Sequence, residues 1–133
     1  MSTGGSRATG GITFDSGALL AIERRSRRIQ ALLDEINRND IGIAVPAGVV
    51  AQAWRGGRRQ ARIATLLADE RTQVVPLDDA LARAVGLACG RSGHPDVVDV
   101  SVALCAKSRD GRVVTSDPDD LQAVDPSLTL IVP

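Results

Sequence analysis

Asp15, Asp96, Asp99, Asp117 and Asp119 are the residues of this chain whose type and placement could hold a positive charge. Asp15 closes a short β-like run, "ITF". Asp117 follows another, "RVVTS", inside the stretch "VVTSDPDDL". Open parallel sheets bind ligands outside the carboxyl ends of their strands, so acids at two strand ends suggest a site. Each acid also reads as an N-cap for the helix that follows, where Asp is a preferred residue. Pro118 suits the first helical position after Asp117, and Asp119 and Asp120 suit the positive end of a helix dipole.

Asp96 and Asp99 lie three apart and share one helical face. Capping accounts for Asp96. Asp99 shares its stripe with Val102, Ala103 and Ala106, in a helix that is apolar almost all round and should be buried. An unpaired carboxylate there costs several kcal/mol, so it needs an Arg or a metal ion beside it. Acids converging from strand ends and a buried helix repel one another unless cations sit among them. Mg²⁺ or Mn²⁺ suits all-oxygen ligands and can activate water at a phosphoryl centre.

The elements that must position these acids alternate along the chain. Strands are expected at "ITF", "IGIAV" (Ile41 to Val45, stopped by Pro46), "TQVVPL", "RVVTS" and "LTLIVP". Between them run helical segments. In "SRRIQALLDEINR" the residues Ile29, Leu32, Leu33 and Ile36 form one apolar face. "AGVVAQAWRGG" ends on glycines, "RRQARIATLLAD" is amphipathic, and "HPDVVDVSVALCAKSRDG" has Pro95 near its first turn. Several strands are near-continuous apolar runs, as in a parallel sheet covered on both faces. The expectation is an α/β fold: one α/β/α sandwich with about five parallel strands over residues 12–133. Residues 1–11 read as a flexible tail without an apolar signal core.

Composition narrows the function classes. The chain has 133 residues, 44% of them hydrophobic, which is enough for one buried core. With one Trp, one Phe and no Tyr, that core is built from aliphatic residues, and rows of stacked bases are not its grip on a ligand. The formal net charge is zero, so no global field advertises nucleic acid. Lys107 is the only lysine, and the remaining basic residues are Arg, which suits phosphate or carboxylate. The same bias arises from a GC-rich coding sequence. Cys89 and Cys105 lack metal-ligand spacing and read as small buried hydrophobes. No run is long enough to span a membrane, and the chain reads as cytoplasmic.

In this order the motifs resemble the PIN-domain ribonucleases, in particular the VapC-type toxins of bacterial toxin–antitoxin pairs. The likeness runs from Ile12 to the C-terminus. It rests on "ITFDSGALLAIE", "VPAGVVAQAWRGG", "DVVDVSVALCA" and "VVTSDPDDL". The resemblance implies a PIN-like fold and an endoribonuclease in which acids hold Mg²⁺ or Mn²⁺ while water attacks an RNA phosphodiester. By position, Asp15, Asp99 and Asp117 are the implied catalytic and metal-binding acids, with Asp96 a neighbour and Asp119 an accessory. A cognate, VapB-like antitoxin and a homodimer are implied partners.

One position departs from that pattern. Gln52 stands where the family usually has Glu. Its amide oxygen can reach a metal or a bound water, but it supplies no charge and no base. A PIN domain that binds RNA or antitoxin without efficient cleavage is therefore an alternative. A flavodoxin-like signalling domain is a more distant one, since Asp15 stands alone on its strand and Lys107 lies on a helix. Thr115 and Ser116 are placed to hydrogen-bond Asp117 or a bound water. Arg55, Arg58 and Arg59 could neutralise RNA phosphates, pair with an antitoxin, or simply solvate a helix face. His94 reads as a turn residue and Trp54 as a packing anchor.

Overall fold

A three-residue strand sits at the centre of the sheet. The computed structural model describes residues 11–133. β1, Ile12–Phe14, is buried along its whole length. It pairs in parallel with β2, Ile43–Pro46, on one side and with β4, Arg112–Val114, on the other. β3, Thr72–Val75, flanks β2, and β5, Thr129–Ile131, flanks β4, both in parallel. The order is β3-β2-β1-β4-β5. The chain builds outward from β1 to β3 and then crosses to the other side of β1. The reversal makes the carboxyl ends of β1 and β4 the topological switch point of the sheet, the place where ligands of such sheets bind.

Seven helices connect the described strands: α1 (Ser16–Glu23), α2 (Arg27–Arg38), α3 (Ala47–Ala53), α4 (Ala61–Ala68), α5 (Asp79–Ser92), α6 (Val97–Lys107) and α7 (Pro118–Val124). The α/β sandwich read from the sequence is the observed fold. α6 packs against β1, β2 and β4, while α1 packs against α3 and α4. Ile29 and Ile36 of α2 are fully buried, and Leu32 and Leu33 pack against the same core. The core is aliphatic around one aromatic, Phe14.

The structure redraws some boundaries. β2 begins at Ile43 and runs through Pro46. Proline is tolerated there because it is the last strand residue and α3 starts behind it. The segment "RRQARIATLLAD" opens as a 3₁₀ turn, Arg58–Gln60, before α4. β3 and β5 are edge strands with exposed positions, whereas β1 and β2 are buried throughout and β4 is buried beyond Arg112. Of the expected tail, residues 1–10 lie outside the described residues. Gly11 does not behave as tail: it is buried, and its N–H donates to Asp110 Oδ2 at 2.9 Å. Its φ of +112° and its close approach to the Gly42 carbonyl leave no room for a side chain.

Candidate active site

Asp15 is held where β1 ends. Its N–H continues the sheet by donating to the Val114 carbonyl at 3.1 Å. Its Oδ1 accepts from the Ala18 N–H at 3.1 Å, so it caps α1. The residue is only 8% exposed. Burial pushes its carboxyl above the ordinary value, and the nearby Asp117 charge pushes the same way. The Thr115 hydroxyl and the Ala18 and Gly17 N–H groups pull in the opposite direction by hydrogen bonding the carboxylate.

Thr115 links the two strand ends. It is fully buried, hydrogen-bonds Asp15, and accepts from the Asp117 N–H at 2.9 Å. Asp117 occupies the N-cap position of α7, yet its carboxylate makes no capping hydrogen bond. The capping reading of Asp117 therefore holds for its backbone position and not for its side chain, which stays exposed. Ser116 is exposed too and lies against Gly17. A Cβ on Gly17 would come within 2.7 Å of Ser116 Cβ and 3.0 Å of its backbone nitrogen.

That contact yields a prediction. Gly→Ala inside a helix ordinarily stabilises by about 1 kcal/mol. Gly17→Ala is expected to do the reverse, costing about 1–3 kcal/mol by overpacking, because the Thr115–Asp117 loop must move away from Asp15. Urea denaturation checks it, and a stabilised variant would contradict the packing.

Asp99 forms a second acidic centre on the first turn of α6. Its Oδ2 lies 3.2 Å from His94 Nε2, with side-chain exposures of 19% for His94 and 27% for Asp99. The side-chain partner is thus a histidine and not the Arg that the sequence offered as one possibility. Burial pushes the Asp99 carboxyl upward, the His94 hydrogen bond pulls it down, and the charges of Asp96 and Asp120 raise it again. Asp96 caps α6, accepting from the N–H groups of Val98 at 2.9 Å and Asp99 at 3.1 Å. Asp120, assigned from sequence to the helix dipole, acts electrostatically on Asp99. Asp119 is exposed.

Gln52 is exposed, and its side chain makes no hydrogen bond among the described residues. It lines a surface depression with Leu20, Glu23, Arg55, Arg59 and Gln60. Gln60 was not singled out by sequence, yet it organises this edge. Its buried Oε1 accepts from the Arg55 and Gly56 N–H groups at 2.7 and 2.9 Å, and its Nε2 donates to Glu23 at 3.0 Å and to the Ala53 carbonyl at 2.7 Å. Arg55 turns back onto the Ala51 and Trp54 carbonyls at 3.2 and 2.8 Å. Arg58 and Arg59 line a neighbouring hollow with Glu23, Arg25 and Arg62. Trp54 is 40% exposed, so it is no buried anchor. Cys105 is buried as expected and Cys89 partly so.

The donors suit a hard cation by type. Asp15, Asp99 and Asp117 offer carboxylate oxygens, and no Arg or Lys among the described residues pairs with them. Among the described residues, no three acidic, His or Cys side chains gather into one coordination shell. Mg²⁺ does not require such a cage, because it keeps several waters and binds through one or two carboxylates. The raised carboxyls of Asp15 and Asp99 are groups whose charged form a nearby cation would favour.

Comparison with known proteins agrees with this architecture. The PIN domain family model matches residues 12–125. The chain belongs to the PIN domain family, which displaces the flavodoxin-like alternative. Two solved structures share the fold. FitAcB from Neisseria gonorrhoeae aligns with a TM-score of 0.57 and 19% identity, covering 90% of this chain and 96% of that one. FitAB bound to an IR36 DNA fragment aligns with a TM-score of 0.58 and 19% identity, covering 92% and 94%. No curated protein sequence matches the chain. Among the described residues, no helix is long and apolar enough to cross a membrane.

Proposed function

We propose that this chain is a divalent-metal-dependent endoribonuclease acting as the toxin of a toxin–antitoxin pair. The observation that carries the reading is the Asp15–Thr115–Asp117 arrangement at the carboxyl ends of β1 and β4. There a buried carboxylate carries the added charge of Asp117, and no basic side chain among the described residues offsets either. PIN domains as a class are nucleases, and Mg²⁺ or Mn²⁺ matches these oxygen donors. Such a cation, when bound, would polarise a phosphoryl oxygen and activate the attacking water.

The chain's own residues have distinct tasks in this scheme. Asp15 and Asp117 supply charge from the strand ends, and Asp99 supplies it from α6. Thr115 fixes the first two relative to each other. Arg58 and Arg59, which form no ion pair among the described residues, are offered as phosphate contacts, with Arg55 beside them. A cognate antitoxin covering these acidic strand ends would restrain the activity, and a homodimer is the proposed assembly.

The test is RNA cleavage by chain freed of any partner, stripped with EDTA and titrated with Mg²⁺ or Mn²⁺. Cleavage should return with metal, and Asp99→Asn should lose it. Retained cleavage in that variant would sink the mechanism. One observation favours a weaker enzyme as the second reading: Gln52 stands exposed, its side chain unbonded, where the family pattern has Glu. Metal-saturated protein that binds RNA without cutting it would establish that reading.

A further inference from the structure

Asp99 has a side-chain partner, His94, that belongs to none of the motifs carrying the family resemblance. His94 lies in the four-residue connection between α5 and α6. Gly93 ends α5 in the left-handed region, φ 71°, with its N–H on the Cys89 carbonyl at 2.9 Å. Pro95 follows His94, and Asp96 caps α6 through two N–H groups. The His94 N–H itself donates to Ser92 Oγ at 3.2 Å. The loop is therefore closed at both ends without help from the imidazole. The ring is nonetheless four-fifths hidden, with Nε2 3.2 Å from Asp99 Oδ2. Asp99 Oδ1 accepts no hydrogen bond among the described residues.

We propose that His94 is a positioning residue for the metal-facing carboxylate. Its Nε2–H holds Asp99 Oδ2, which fixes the carboxylate plane and leaves Oδ1 to the cation or to a metal-bound water. A neutral imidazole can make this bond in its Nε2–H tautomer, so the role needs no charge on the ring. Partners of this kind set the orientation of ligating groups, and their loss typically weakens metal binding about 10–100-fold. The inference rests on the proposed function only in placing the cation beside Asp99.

Mn²⁺ binding, read by the electron paramagnetic resonance signal of the free ion, tests it without any activity measurement. His94→Ala and His94→Phe should weaken binding at least about tenfold, the Phe variant keeping a ring without a donor. His94→Gln, whose amide N–H can donate to the same oxygen, should recover most of the loss. Unchanged or tighter binding in the Ala and Phe variants overturns the proposal. Equal weakening in all three assigns the effect to packing and also overturns it. If His94→Ala does not fold, as judged by circular dichroism on heating, the Phe and Gln variants carry the comparison. Asp99→Asn separates the two levels. Lost Mn²⁺ binding there with normal binding in the His94 variants fails His94 alone, whereas normal binding in Asp99→Asn fails the metal site and His94 together.

Discussion

Asp15→Asn is expected to fold at least as stably as the parent chain and to lose metal-supported RNA cleavage by roughly a hundred- to thousand-fold. The two halves of that result have one cause. Asn is about as good an N-cap as Asp, so the bond to the Ala18 N–H survives. What disappears is a charge in a buried place beside Asp117. In the absence of metal that charge opposes folding. On the proposed function, the same charge would offset a bound cation, and its removal would take several kcal/mol of transition-state stabilisation with it.

The pH dependence follows in sign. A carboxyl whose folded value is raised binds its proton more tightly when folded. Its contribution to stability is fully present below the unfolded value of 3.8 and is lost as pH rises through the raised folded value. Asp99 behaves in the same sense, while Asp110 and Asp125, both lowered, act in the opposite sense. The parent curve mixes these groups. The difference between parent and Asp15→Asn isolates Asp15: without metal, the parent should lose stability relative to the variant as pH rises through that window. Denaturant midpoints at several pH values measure it. A parent that gains on the variant over that window would mean that Asp15 is not strained by its surroundings.

The fold was legible because its signals are local. Five β-branched runs, the apolar face of α2 and the acids at helix starts all follow from spacing along the chain. The positions of Asp15 and Asp117 were legible for the same reason, since one closes β1 and the other follows β4 at the start of α7. Features that depend on relative rotation were not legible. Asp119 and Asp120 differ by one step, about 100° around a helix. Which of them acts on Asp99 depends on how α7 is turned toward α6, and no periodicity in a seven-residue helix reports that. The His94–Asp99 pair spans a loop and a helix start, so it needs the left-handed Gly93 to bring the ring over α6. Gln60 escaped notice because a buried polar side chain satisfied by four partners looks, in sequence, like any surface glutamine. The exposure of β3 and β5 was not legible, because edge position is a property of strand order and not of composition.

Phe14→Ala should produce the largest loss of stability of any single truncation, about 3–5 kcal/mol. Phe14 is the only Phe, is fully buried, and belongs to the central strand with neighbours on both sides. The residues around it are Val, Ile, Leu and Ala, whose short and branched side chains cannot reach into the vacated space. Against a total of about 5–15 kcal/mol for an ordinary domain, such a loss leaves a substantial unfolded fraction on warming. A fall in the urea midpoint with an unchanged slope is the expected reading, and a cost under about 1.5 kcal/mol would mean that the core collapses into the gap. The same variant also reports on the site. Phe14 immediately precedes Asp15, so a metal that binds only the folded chain should restore about 2.7 kcal/mol at a hundredfold excess over its dissociation constant. In Phe14→Ala combined with Asp15→Asn that restoration should shrink. The size of the difference measures how much of the cation's grip passes through the carboxylate at the end of β1.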